Sequence, residues 1–80
     1  MREVKIFLGT IERVKDFVNA VTRLDCDVDI VSGRYVIDAK SIMGIFSVDL
    51  SRELVLKISS DDVEECKEIR EKLKAFIVED

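Results

Sequence analysis

The chain has 80 residues, enough for one small domain with a single core and too few for a core plus a deep active-site cleft. An apolar fraction of 48% and a charged fraction of 38% describe a folded chain rather than a disordered one, and a net charge of −4 argues against a nucleic-acid or anionic-membrane surface. Histidine is absent, which removes the commonest general base and the commonest metal ligand, so no metal site and no cofactor are expected.

Proline is absent too, and boundaries come from hydrophobic periodicity. Val4, Ile6 and Leu8 alternate with Lys5 and Phe7, which predicts a first strand. Gly9-Thr10 breaks it, and Thr10 is placed to cap a helix in which Ile11, Val14, Phe17, Val18, Val21 and Leu24 form one apolar face. Cys26, Val28 and Ile30 alternate with Asp27 and Asp29 as a second strand, and a Ser32-Gly33 turn returns Tyr35 to Ala39 as its hairpin partner. A short helix follows from Ser41 to near Ser47, then a fourth strand of Leu54, Leu56 and Ile58. Ser60-Asp61-Asp62 caps a last helix with Val63, Cys66, Ile69, Leu73, Phe76 and Ile77 on one face.

This order, strand-helix-strand-strand-helix-strand-helix, predicts an α+β domain over residues 1–80. Two amphipathic helices cover one face of a four-stranded, mainly antiparallel sheet, an open-faced sandwich. Cys26 and Cys66 lie far apart without paired spacing and read as reduced core fillers. No apolar run is long enough to span a bilayer and no signal-peptide pattern opens the chain, so a cytoplasmic location is expected.

The most informative stretch is Asp38-Ala39-Lys40-Ser41-Ile42-Met43-Gly44-Ile45. It puts a hydroxyl at a helix start, where the free N–H groups of the first turn accept a capping oxygen and tolerate an anion. Behind it, Ile42, Met43, Ile45 and Phe46 are more apolar surface than one short turn hides. A modifiable hydroxyl beside an apolar patch describes a docking surface. The bland alternative is a helix cap whose apolar neighbours fold back onto the sheet.

The run from Asp38 to Gly44 resembles the regulatory-serine segment of HPr, the small phosphocarrier of the bacterial sugar phosphotransferase system. Phe17-Val18 and Arg23 to Val28 also line up with that family without a net gap, while Gly33 falls about one residue off and the Ser51-Arg52 turn is shortened. The resemblance implies the HPr-like sandwich and departs from the family at one decisive place. HPr proteins carry a phosphorylated histidine before the first long helix, followed closely by arginine and proline. Here Thr10 stands at the histidine position, followed by Ile11, Glu12 and Arg13. A threonine alcohol is not nucleophilic near neutral pH and forms no labile phosphoramidate, so histidine-type relay is not expected and no catalytic residue is assigned.

In losing the histidine and keeping the serine, the chain is similar to the Crh type of HPr-like protein. The resemblance then implies phosphorylation of Ser41 by an HPr-type serine kinase/phosphorylase. Partners would be that kinase, a transcriptional repressor or another phosphotransferase-system protein, in carbon catabolite regulation. The implied partner contacts are Lys40, Ile42, Met43, Ile45, Phe46 and Arg13. Three readings stay open: this regulatory protein, a phosphocarrier in the full sense, and a docking module that keeps only the fold. An independent enzyme is not expected.

Overall fold

The computed structural model describes residues 2–78. Its elements are β1 (Arg2–Ile6), α1 (Ile11–Thr22), β2 (Val28–Ser32), β3 (Tyr35–Asp38), α2 (Ile42–Ile45), β4 (Leu54–Ile58) and α3 (Val63–Lys72). The strands form one sheet in the order β1-β4-β2-β3, and every neighbouring pair is antiparallel.

Strand period sorts the two sheet faces. Val4, Ile6, Val28, Ile30, Leu54, Leu56 and Ile58 point to one side and are all buried. The helices cover that side with Val14, Phe17 and Val21 from α1 and Cys66 and Ile69 from α3. The register puts Val31 opposite Val36 and Val55, and Lys57 opposite Glu3 and Asp29, on the other side, which carries no helix. Lys57 Nζ lies 3.6 Å from Glu3 Oε2 there.

Several expected boundaries move, each for a physical reason. Leu8 is fully buried but lies beyond β1, where Gly9 N donates to Leu50 O and turns the chain towards Thr10. Cys26 lies before β2, partly buried against the core, and Ala39 lies in the turn after β3, its N–H donating to Val28 O. The hairpin turn is Gly33-Arg34, with Gly33 at φ 59°, a left-handed conformation that favours glycine. Ile11, predicted on the apolar face of α1, stands 59% exposed at the first helical position.

The largest difference is at the end of α3. Phe76 and Ile77 keep helical spacing with Leu73, yet the helix stops at Lys72 with Leu73 as its cap. The chain then turns and pairs with the outer edge of β1. Phe7 N donates to Phe76 O, Val78 N donates to Lys5 O, and Ile6 bridges Ile77. This covers an edge strand that would otherwise be open. Phe76 also meets Phe17 edge-to-face, with ring centroids 5.4 Å apart.

Both cysteines are free thiols. Burial pushes the Cys26 thiol up, and the nearby Glu65 carboxylate adds to the shift. No helix of the described residues is long and apolar enough to cross a membrane.

Candidate functional site

Ser41 has extended backbone and opens α2 as its N-cap, exposed to solvent. Its Oγ accepts from Gly44 N at 3.2 Å, and its carbonyl accepts from Ile45 N at 3.1 Å. The approach is set by Asp38, whose side chain accepts from Lys40 N and whose carbonyl accepts from Ser41 N, a local turn that delivers the serine to the helix start. Two strand-end bonds and one cap therefore place this hydroxyl.

Gly44 explains why a glycine sits inside so short a helix. A Cβ built there would lie 2.6 Å from Ile37 Cγ2 on β3. The missing side chain lets α2 lie against the edge strand. That packing turns Ile45 fully into the core and leaves Ile42 half-buried. Met43 (76% exposed) and Phe46 (40% exposed) face solvent beside Ser41.

The set of expected partner contacts therefore divides. Met43 and Phe46 are open to a partner, and Ile42 is open in part. Ile45 is not: its side chain is the anchor of α2, closed off by the core. Lys40 is half-buried, and its Nζ donates to Leu24 O at 3.0 Å, which commits its ammonium to the end of α1 rather than leaving it free beside Ser41.

Arg13 changes role most. Its Nε donates to Leu8 O at 2.8 Å, and its Nη2 donates to Phe7 O at 3.0 Å and to Ala75 O at 2.9 Å. The guanidinium carbon also lies 5.0 Å from the centre of the Phe76 ring. A planar fork with fixed donors is suited to gathering carbonyls in this way. Arg13 is thus a clamp holding the start of α1 to the end of β1 and to the segment after α3, not a free cation awaiting a partner.

Thr10 is the N-cap of α1, exposed, with Oγ1 accepting from Arg13 N at 3.1 Å. The Gly9 N to Leu50 O bond, 3.0 Å, ties the approach to Thr10 to the loop that follows α2. The fold thus links the surroundings of Thr10 to those of Ser41. That loop is ordered by Asp49, whose Oδ1 accepts from Ser51 N and Oγ and whose Oδ2 lies 3.4 Å from Arg52 Nε. The Ser51 hydrogen bonds hold the Asp49 carboxyl below the usual carboxylate range, with Arg52 adding to it.

Sequence reasoning did not single out Tyr35 and Val36, which are exposed on the free edge strand, or Phe7. Tyr35 and Ile37 line a hollow of about 470 Å³ with Ser47 and Val48, just beyond α2. Among the described residues no group of three or more His, Cys, Asp or Glu side chains is placed to hold a metal ion.

No curated protein sequence matches the chain. A solved structure described as the crystal structure of HPr-C-His from Thermoanaerobacter tengcongensis superposes with a TM-score of 0.72 at 26% sequence identity, covering 91% of this chain and 90% of that one. The family model for the PTS HPr component phosphorylation site matches residues 12–79, a stretch that includes Ser41 and α2 and begins just past Thr10. With a match running through nearly the whole domain and the same arrangement of strands and helices, the chain belongs to the PTS HPr family, the phosphocarrier proteins of the phosphotransferase system.

Proposed function

We propose that this chain is a regulatory member of the HPr family that acts through protein–protein binding at α2 and is switched by phosphorylation of Ser41. One observation carries the reading: a solvent-exposed serine hydroxyl caps a helix whose next turns leave Met43 and Phe46 uncovered, in an HPr-family chain that contains no histidine.

The chemistry is that of a charge switch. A phosphoryl group on Ser41 adds roughly −1.5 to −2 charges at neutral pH and three strong acceptor oxygens. The ester oxygen keeps its place as acceptor for the Gly44 N–H, so the cap survives modification. The new charge sits at the positive end of the helix and invites an arginine-bearing partner, while Met43 and Phe46 supply the apolar contact. Lys40 does not neutralise the phosphate, because its ammonium is held at Leu24 O. The charge is therefore left for the partner to read.

Thr10 does not take up the histidine's task in this reading. Its oxygen serves as a helix cap, and among the described residues no side-chain base is hydrogen-bonded to it. The protein then works in the cytoplasm with an HPr-type kinase/phosphorylase and with a repressor or another phosphotransferase-system protein, without a cofactor of its own and without catalysis.

The test is intact-mass spectrometry after incubation with ATP and an HPr-type serine kinase, beside Ser41→Ala and an ordinary HPr. The expected result is one phosphate on the native chain and none on the variant. An unmodified native chain in a tube where ordinary HPr is phosphorylated would overturn the switch and leave a docking module that keeps only the fold.

A further inference from the structure

A second surface lies away from Ser41, between one flank of α3 and the start of β1. Lys67, Arg70 and Lys74 recur at steps of three and four residues, so their side chains leave the helix and its following turn on the same side. With Glu71 and Ile77 they line a hollow of about 430 Å³. A smaller hollow of about 210 Å³ shares Lys67 and Arg70 and adds Arg2, Val63 and Cys66. The two hollows adjoin at these shared residues and form a groove with four cations on its walls, Ile77, Val63 and Cys66 as its apolar parts, and Glu71 as the one acid among the described lining residues.

Three features set this groove apart from an ordinary solvated helix face. First, the chain as a whole is acidic, at −4, so four cations around one hollow are a strong local inversion of charge. Second, the opposite flank of α3 does not share it. The hollow there is lined by Arg23, Asp25, Glu65, Glu68 and Lys72, three acids against two cations, and it measures only about 60 Å³. Third, the side chains of Lys67, Arg70 and Lys74 form no ion pair or hydrogen bond with another described residue, whereas Asp61 is close enough to act on Arg2. Like charges three and four residues apart oppose the helix by about 0.2–0.5 kcal/mol per pair. A bound anion relieves that repulsion.

We propose that this groove is a binding site for a small phosphorylated anion carrying at least two phosphoryl groups. The guanidinium of Arg70, central in the groove, presents a fork that matches phosphate geometry, and Lys67 and Lys74 on either side supply compact point charges. Lys67 and Arg70 stand about 4.5 Å apart along the axis of α3 and Lys74 follows in the turn beyond its end, so the cations are spread over more than a single phosphate occupies and the site favours a ligand with charge in two places. Its concavity and size suit a small molecule better than the flat contact of a protein partner. The proposal is independent of Ser41 phosphorylation.

The experiment is a titration of the whole protein, followed by amide chemical shifts, with pyrophosphate, tripolyphosphate and inorganic phosphate. A ten-residue polyglutamate peptide provides the macromolecular comparison. At an ionic strength of about 20 mM, screening is weak enough for the site to be seen. Saturable shifts confined to Arg2 and the 63–77 segment are expected. Two or more phosphoryl groups should bind at least about tenfold tighter than one, since each adds a charge-assisted contact. The pair Lys67→Gln with Arg70→Gln should weaken tripolyphosphate at least about tenfold, while Lys15→Gln with Arg34→Gln, which changes net charge equally elsewhere, should stay within about twofold. All four side chains are exposed, so neither pair tests folding. Non-saturating shifts, equal loss in both pairs, or tighter binding of polyglutamate than of tripolyphosphate would overturn the assignment.

Discussion

Thr10 and Ser41 do the same local job in opposite surroundings. Each is an extended residue whose hydroxyl accepts from the N–H three positions on, at 3.1 Å for Thr10 and 3.2 Å for Ser41. Behind Thr10 runs a 12-residue helix with Val14, Phe17 and Val21 in the core, and beside it Arg13 ties three carbonyls together. Behind Ser41 runs a four-residue helix with Ile45 alone fully buried. A short helix has little propensity of its own, so α2 depends on that one anchor and on its closeness to β3. The start of α1 is built to stay put. α2 instead leaves its apolar surplus, Met43 and Phe46, outside.

Removing the anchor is the largest expected effect. Ile45→Ala should cost about 2–5 kcal/mol, because it opens a cavity under a helix with no second buried residue. Met43→Ala, two positions away on the solvent side, should change stability by less than about 0.5 kcal/mol while weakening partner capture. Denaturant unfolding of both variants checks the split, and similar losses at the two positions would break the distinction between anchor and docking residue.

The clamp comes next. Arg13→Ala removes a donor from the carbonyls of Phe7, Leu8 and Ala75, of which Leu8 keeps the Thr10 N–H, and two of the three lost bonds are exposed, so a loss of about 2 kcal/mol is expected. That corresponds to a fall of roughly 8–16 °C in melting temperature for a domain of this size. Arg13→Lys keeps the charge and loses the fork, and should recover only a minor part. Full recovery by lysine would assign the work to the charge over the Phe76 ring instead.

Gly44→Ala is expected to cost about 1–2 kcal/mol, since a Cβ 2.6 Å from Ile37 Cγ2 forces α2 off the strand. The substitution would stabilise an isolated helix by about 1 kcal/mol. The sign of the measured change therefore tells whether strand packing or helix propensity governs α2. Pairing it with Ile37→Ala removes the obstructing methyl, and the two should be strongly non-additive.

The strands were legible because one side of the sheet is dry and the other wet, and alternation reports that contrast directly. The serine cap and the uncovered Met43 and Phe46 were legible from the same segment. Ile45 was not separable from them: with residues 42, 43, 45 and 46 all apolar, a four-residue helix has no period from which an inward side can be read. The clamp was hidden for another reason. Arg13 reaches Ala75, 62 residues away, and no local pattern encodes such a partner. Phe76 and Ile77 misled by keeping helical spacing while the chain left α3, since pairing with the edge of β1 is a non-local demand. The basic flank of α3 was not singled out from the sequence, where acids stand among Lys67, Arg70 and Lys74 and Arg2 joins them only in the fold.

Acid should separate the two regions with the smallest change of all. The carbonyl clamp at α1 joins a guanidinium to backbone carbonyls and contains no carboxylate. The turn after α2 depends on the ionised Asp49 carboxylate, which accepts from Ser51 N at 3.0 Å and from Ser51 Oγ at 2.6 Å. A carboxyl held below its ordinary value of 3.8 contributes order that is complete above that value and is lost as pH falls through the lower folded-state value. Amide shifts of Ser51 and Arg52 should therefore move with a midpoint below 3.8, while the Arg13 side-chain Nε–H held at Leu8 O keeps its hydrogen-bonded signal. Ser51→Ala removes the largest cause of the shift and should carry the Asp49 midpoint upward. An unchanged midpoint in that variant would transfer the effect to the Ser51 N–H, 3.0 Å away, or to Arg52, 3.4 Å away, and only the ion pair with Arg52 would make that midpoint strongly sensitive to salt.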